Sequence, residues 1–185
     1  MAKELKNSGS TGMLVGISGC LLGEPVRYDG QHKRDHELVE TLAEHLQLLP
    51  FCPEVAIGLG VPRPPIQLRE VGGRIHAIGV EDAGRDVTCN LQDVGKAFGR
   101  RNPALCGYVF KSRSPSCGLS SSPVVLASGT VVDGGRGIFA EALITVQPLL
   151  PVAEDQELQC PQAIQDFINK VVHYYDTLVQ KRTET

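Results

Sequence analysis

Apolar residues along this chain fall into two patterns that alternate. Short continuous runs, Leu14-Val15-Gly16-Ile17, Leu48-Leu49-Pro50-Phe51 and Gly107-Tyr108-Val109-Phe110, have the length and flanking breakers of buried strands. Between them lie stretches of helical spacing. Leu38, Val39, Leu42, Ala43 and Leu46 form one stripe, with Asp35 as N-cap, Glu37 in the first turn, and His36 and His45 facing solvent. Val87, Leu91, Val94 and Phe98 form a second, starting at Asp86 or Thr88 and ending at Gly99–Pro103. A third carries Ile138, Phe139, Ala142, Leu143 and Val146. The last carries Ile164, Phe167, Ile168, Val171, Tyr175 and Leu178, with Pro161 at the first helical position. Gln67–Val71 and Arg74–Ile78, around Gly72-Gly73, predict a hairpin. Pro123–Ala127 and Thr130–Asp133 read as short extended pieces, and Leu149–Val152 as a final strand. This alternation predicts an α/β fold: one Rossmann-like layered domain with a mainly parallel sheet.

A length of 185 residues suits one domain with a real core. Residues 1–12 are expected to be a flexible leader, 13–158 the α/β domain and 159–185 a C-terminal amphipathic helix. The leader has no apolar signal core and no stretch reaches membrane-spanning length, so a cytoplasmic location away from the membrane is expected. A net charge of −3 argues against binding a nucleic-acid polymer but not a single nucleotide. An oligomer is compatible with all of this.

Six cysteines in a reducing compartment point to metal, cluster or catalytic thiols rather than disulfides. Three of them, Cys20, Cys52 and Cys117, each follow an expected parallel strand. In open α/β sheets ligands sit at the carboxyl ends of strands, so these thiols can meet there. Three thiolates could hold a metal or an iron–sulfur cluster with one position open. Ordinary buried cysteines remain the alternative, and that reading suits Cys89, Cys106 and Cys160 best. Polar company marks the first three: Ser18 near Cys20, Glu54 beside Cys52, Ser114 and Ser116 beside Cys117. Glu54 could act as a general base on water, cap a helix, or pair with Arg63 in the glycine- and proline-rich loop that follows. Ser114 and Ser116 could orient a substrate heteroatom or satisfy the turn. Gly134-Gly135-Arg136-Gly137 before a helix is a candidate anion site or a plain structural turn.

In combination, Ser18-Gly19-Cys20-Leu21-Leu22-Gly23, Val26-Arg27-Tyr28-Asp29-Gly30, Cys52-Pro53-Glu54-Val55, Gly58-Leu59, Pro62-Arg63-Pro64 and Ser114-Pro115-Ser116-Cys117-Gly118 resemble the 2-thiouracil desulfidase family. The resemblance spans about Leu14 to Leu158. It implies a 4Fe–4S cluster held by Cys20, Cys52 and Cys117 only, its open iron serving as a Lewis acid toward a thiocarbonyl sulfur. It implies Glu54 as catalytic carboxylate and Ser114 as assisting serine, acting on a thiolated pyrimidine or its nucleotide. Ser18, Arg63 and Ser116 are then expected to contact substrate, with Gly135, Arg136 and Gly137 as a phosphate cradle. Gly107–Arg113 and Pro161–Tyr175 look more like a subgroup in which this domain leads into a second, helical one. The expected activity is hydrolytic desulfuration. The competing readings are a noncatalytic cluster- or metal-binding regulator and a metal-free hydrolase with Cys117 as nucleophile.

Overall fold

The structure, a computed structural model, describes residues 12–183, so the expected leader falls outside the described residues except for Gly12. The first half of the chain runs β1 (Leu14–Ser18), α1 (Gly19–Leu22), α2 (His36–Ala43), β2 (Gln47–Phe51), α3 (Pro53–Ala56), β3 (Ile66–Val71), β4 (Arg74–Gly79) and α4 (Thr88–Arg101). The second half runs β5 (Leu105–Phe110), β6 (Ser122–Val125), β7 (Val131–Gly135), α5 (Ile138–Val146), β8 (Val152–Glu154) and α6 (Pro161–Thr183). No described helix is long and apolar enough to cross a membrane.

Four strands in the order β2-β1-β5-β8, every neighbouring pair parallel, form the main sheet. Their near-continuous apolar runs are what a sheet covered on both faces requires. Val15 and Ile17 of β1 and Val109 of β5 pack with Leu38 and Leu42 of α2 and with Phe167 and Val171 of α6. Tyr108 and Phe110, pointing the other way, pack with Phe98 of α4 and Phe139 and Leu143 of α5. The C-terminal helix is therefore part of the domain core.

The hairpin and the two extended pieces assemble into a second sheet, β4-β3-β6-β7, which the sequence pattern does not reveal. Its pairs are antiparallel at both ends and parallel at β3–β6. Leu68, Ala77 and Val124 from this sheet bury against Leu91 of α4 and Ile138 of α5. Helices α4 and α5 are thus covered from two sides, and Gly95 lets them touch: a Cβ there would lie 2.8 Å from the Phe139 carbonyl oxygen.

Two expectations need correction. The final strand is Val152–Glu154, not Leu149–Val152. Leu149 is exposed in the turn after α5, and pairing begins only where the Tyr108 N–H reaches the Pro151 carbonyl at 2.9 Å. Nor is Gly134–Gly137 a free helix entry: Gly134 and Gly135 end β7. The first amides of α5 are already occupied. Gly137 N–H donates to Gly118 O at 2.7 Å, Ile138 N–H to Pro115 O at 3.1 Å, and Phe139 and Ala140 N–H to Ser116 O at 3.0 and 3.2 Å. The loop after β5 therefore caps α5, and a Cβ on Gly137 would sit 2.4 Å from the Ser116 carbonyl carbon.

That approach predicts a cost for Gly137→Ala of about 1–3 kcal/mol, the usual price of overpacking. For a chain of this size it corresponds to a Tm lower by roughly 2–12 °C in a thermal melt. An unchanged Tm would mean that loop and helix are not locked together.

Candidate cluster-binding active site

The main sheet reverses its strand order between β1 and β5, since β2 lies on one side of β1 and β5 on the other. Ligands in such sheets bind outside the carboxyl ends at that reversal. A cavity of about 410 Å³ lies there, lined by Ser18 and Cys20 after β1, Cys52 and Glu54 after β2, and Lys111, Ser114 and Cys117 after β5. Its size is that of a small-molecule site.

Each thiol reaches the cavity by a different local device. Cys20 lies in α1, which stops at Gly23 in the left-handed conformation (φ 102°). Cys52 precedes α3, a turn started by Pro53 at its first position and Glu54 in its first turn. Its Sγ contacts the Val26 carbonyl at 3.7 Å. Cys117 is placed by the loop that caps α5, where Ser114 Oγ accepts the Cys117 N–H at 3.1 Å and the Ser116 N–H at 3.3 Å. All three are free thiols, and the structure brings them to one cavity.

Electrostatics tie the three together. Burial, followed by the Cys52 thiol, pushes Cys20 up to about 11. Burial and then Cys52 also hold Cys117 well above its ordinary value, and burial raises Cys52 as well. These thiols stay protonated at neutral pH unless something cationic replaces the protons.

Three thiols at one cavity are the donor type that iron–sulfur clusters take. Among the described residues, no three His, Cys, Asp or Glu side chains are arranged to hold a single metal ion. An iron–sulfur cubane takes each thiolate on a different iron, so it is served by sulfurs spread around a cavity wall. The ligands are the soft, all-thiolate type that such clusters need. Three such ligands would leave one iron of a four-iron cluster without a protein ligand.

Glu54 is gripped at both oxygens. Ser116 Oγ donates to Oε1 at 2.9 Å, and Arg63 Nε donates to Oε2 at 2.8 Å. The Arg63 side chain, 4% exposed, is anchored in turn by Nη1 to the Val26 and Gly60 carbonyls, both at 2.9 Å. Ser114 Oγ accepts two amides, and neither bond uses its own proton. Lys111 Nζ reaches Asp155 Oδ2 at 2.6 Å, and Asp155 Oδ1 accepts the Ser112 N–H at 2.6 Å. Ser18 Oγ accepts the Lys111 N–H at 3.0 Å, which joins the ends of β1 and β5.

Of the residues singled out in the sequence, Ser18, Cys20, Cys52, Glu54, Arg63, Ser114 and Cys117 line the cavity. Ser116 does not: it is fully buried behind Glu54. Arg63 turns its guanidinium to Glu54, so both residues hold the carboxylate. Gly135, Arg136 and Gly137 are not brought to the cavity, because two glycines meet other backbone and Arg136 Nε donates to the Leu119 carbonyl at 3.0 Å. Arg27, Tyr28, Lys111, Arg113 and Gln156 line it without having been assigned a role. The first four lie inside stretches already conspicuous in the sequence, whereas nothing in the sequence marks Gln156.

Comparison with known proteins bears on the family and the fold. Residues 15–155 match the family model described as 2-thiouracil desulfurase. An uncharacterized protein of Bacillus subtilis (strain 168), YbbK, is 26% identical over 114 residues, covering 57% of this chain and 73% of its own. The solved structure of TudS, a 4Fe–4S-dependent thiouracil desulfidase, shares the fold at a TM-score of 0.60 with 31% identity, over 80% of this chain and 93% of that one. With the family model covering well over half of its length, the chain belongs to the 2-thiouracil desulfurase family.

Proposed function

We propose that this protein is a hydrolytic desulfidase that converts the thiocarbonyl of a thiolated pyrimidine, free or as its nucleotide, into a carbonyl and releases sulfide. The observation that carries this reading is the meeting of three thiols and a doubly held carboxylate in one cavity of a chain of this family. Cys20, Cys52 and Cys117 would hold a 4Fe–4S cluster, the cofactor on which TudS depends. When bound, the cluster would supply a Lewis-acidic iron with an open position for the substrate sulfur.

The rest of the chemistry belongs to the chain. Glu54 takes a proton from the water that attacks the ring carbon. Each of its oxygens accepts one hydrogen bond, from Arg63 or from Ser116, and keeps a further lone pair for that proton. Arg63 and Ser116 fix its direction in advance, so no reorganisation is needed when the water attacks. Ser114 turns its spare hydroxyl proton toward the ring. One oxygen enters, one sulfur leaves at the sulfide level, and no electrons are exchanged. Arg27 and Arg113 on the cavity wall favour an anionic substituent, which keeps the nucleotide among the substrates. A metal-free role for Cys117 has less support. An activated nucleophile has a lowered pKa, and burial drives this one the other way.

Protein purified without air is expected to carry about four irons and four acid-labile sulfides per chain, one cluster's content. It should turn 2-thiouracil into uracil and sulfide. Glu54→Gln should lower kcat by about 10²–10⁴ with the cluster's visible spectrum intact, the span of a lost general base. Full activity in that variant would remove Glu54 from the role, and iron-free, colourless wild type would end the cluster reading.

The metal-free protein makes a separate prediction. Its Cys20 ionises near 11 instead of the ordinary 9.0, so the unfolded chain loses that proton first. Stability is then fully present below pH 9 and falls as pH rises toward about 11. Denaturant midpoints across this range should fall more steeply for wild type than for Cys20→Ala. Parallel slopes would contradict the burial of this thiol.

A further inference from the structure

Tyr108 is the largest fully buried side chain of the protein, and its hydroxyl is anomalous. The ring is locked on every side. It stacks on Phe110 at 4.2 Å and meets the edges or faces of Phe98 and Phe139 at 5.8 Å each. Gly16 on the adjacent strand exists in register with it, and a Cβ there would collide with ring carbon Cδ2. Such a pocket wants phenylalanine, which its aromatic neighbours all are. Yet Oη is buried and has no hydrogen-bond partner among the described residues. Leaving such a group unpaired is destabilising, a penalty that Phe would avoid.

What surrounds the hydroxyl indicates its missing acceptor. Tyr108 packs in the same core cluster as Cys117. After burial itself, the groups that oppose ionisation of the phenol are Cys117, Cys52 and Cys20, the same three thiols that line the cavity. Ser18 is the one other polar side chain in reach. Its Oγ lies close enough to ease ionisation of the phenol, but it already accepts the Lys111 N–H at 3.0 Å and falls short of hydrogen-bond geometry with Oη. A protonated thiol is a weak acceptor, but a metal-bound thiolate or inorganic sulfide is a good one.

We propose that Tyr108 Oη donates a hydrogen bond to a sulfur of the cluster on the Cys117 side, from within the core beneath the cavity. The inference rests on the cluster reading above and goes beyond it. It would give the cluster a donor buried in the protein core beside Cys117. Tyr108 is then a positioning and tuning residue and not a catalytic one. Hydrogen bonds to cluster sulfurs raise the reduction potential and help retain the metal. The donor is dry and rigid, so its bond forms without ordering any side chain.

The test is Tyr108→Phe, prepared and loaded with iron and sulfide in the absence of air alongside wild type. The variant cluster should have a more negative midpoint potential and lose iron to a chelator roughly 10–100-fold faster, the range that outer hydrogen-bond partners carry. The metal-free variant should melt at the same temperature as metal-free wild type or higher, since an unpaired hydroxyl has been removed. In wild type, iron–sulfur stretching bands should shift in deuterated water, and that shift should shrink in the variant. Equal potentials and equal rates of iron loss would overturn the proposal, as would a less stable metal-free variant, which would make the hydroxyl a structural partner. Wild type that takes up no cluster would instead refute the function proposed above, an outcome read before any variant is compared.

Discussion

The site depends on one exchange of hydrogen bonds: the first turn of α5 gives its amides to the carbonyls of Pro115, Ser116 and Gly118. A helix N-terminus has amides that nothing inside the helix can satisfy, and a buried loop has carbonyls in the same position. Here each supplies what the other lacks. The loop can therefore remain buried without regular structure, and Cys117 is held in the core cluster under the cavity. Gly137 is the geometric condition, because any side chain there would strike the Ser116 backbone.

The same economy extends across the carboxyl edge of the main sheet. Ser18 ties β1 to the start of the β5 loop, and Asp155 after β8 ties Lys111 and Ser112 to it. Glu154 gathers the Leu119 and Ser120 amides and the Ser121 hydroxyl. Glu54 is bound by Arg63 and Ser116, so the carboxylate that faces the cavity is linked to the residue before Cys117. Buried polar groups of this kind are tolerated only when they are paired, and a paired network defines one geometry. Rigidity at the thiols and direction at the carboxylate thus share one cause.

The strands and long helices were legible because each has a single dominant period. The runs at Leu14–Ile17 and Gly107–Phe110 and the stripe Leu38–Leu42 needed no tertiary help. Asp35 caps α2 as its side chain suggested, accepting the Leu38 N–H at 3.1 Å. The second sheet was not legible, since strands as short as Ser122–Val125 have too few residues to show alternation. Gly134–Gly137 misled for a physical reason: glycine marks a close approach, but not whether an anion or the chain's own backbone approaches. Here it was the backbone of the Cys117 loop.

By itself, the sequence singled out the candidate site residues: three thiols behind three apolar runs, a carboxylate beside the second, hydroxyls beside the third. Those are local facts of composition and spacing. Only the tertiary structure decided their relations. It joined Arg63 and Ser116 to the two oxygens of Glu54, kept the glycine segment out of the cavity, and buried Tyr108 in the core cluster that holds Cys117. The Ser116–Glu54 bond links residues 62 positions apart. The pairing of a buried donor with its acceptor depends on how strands and helices stack, and no local period records that.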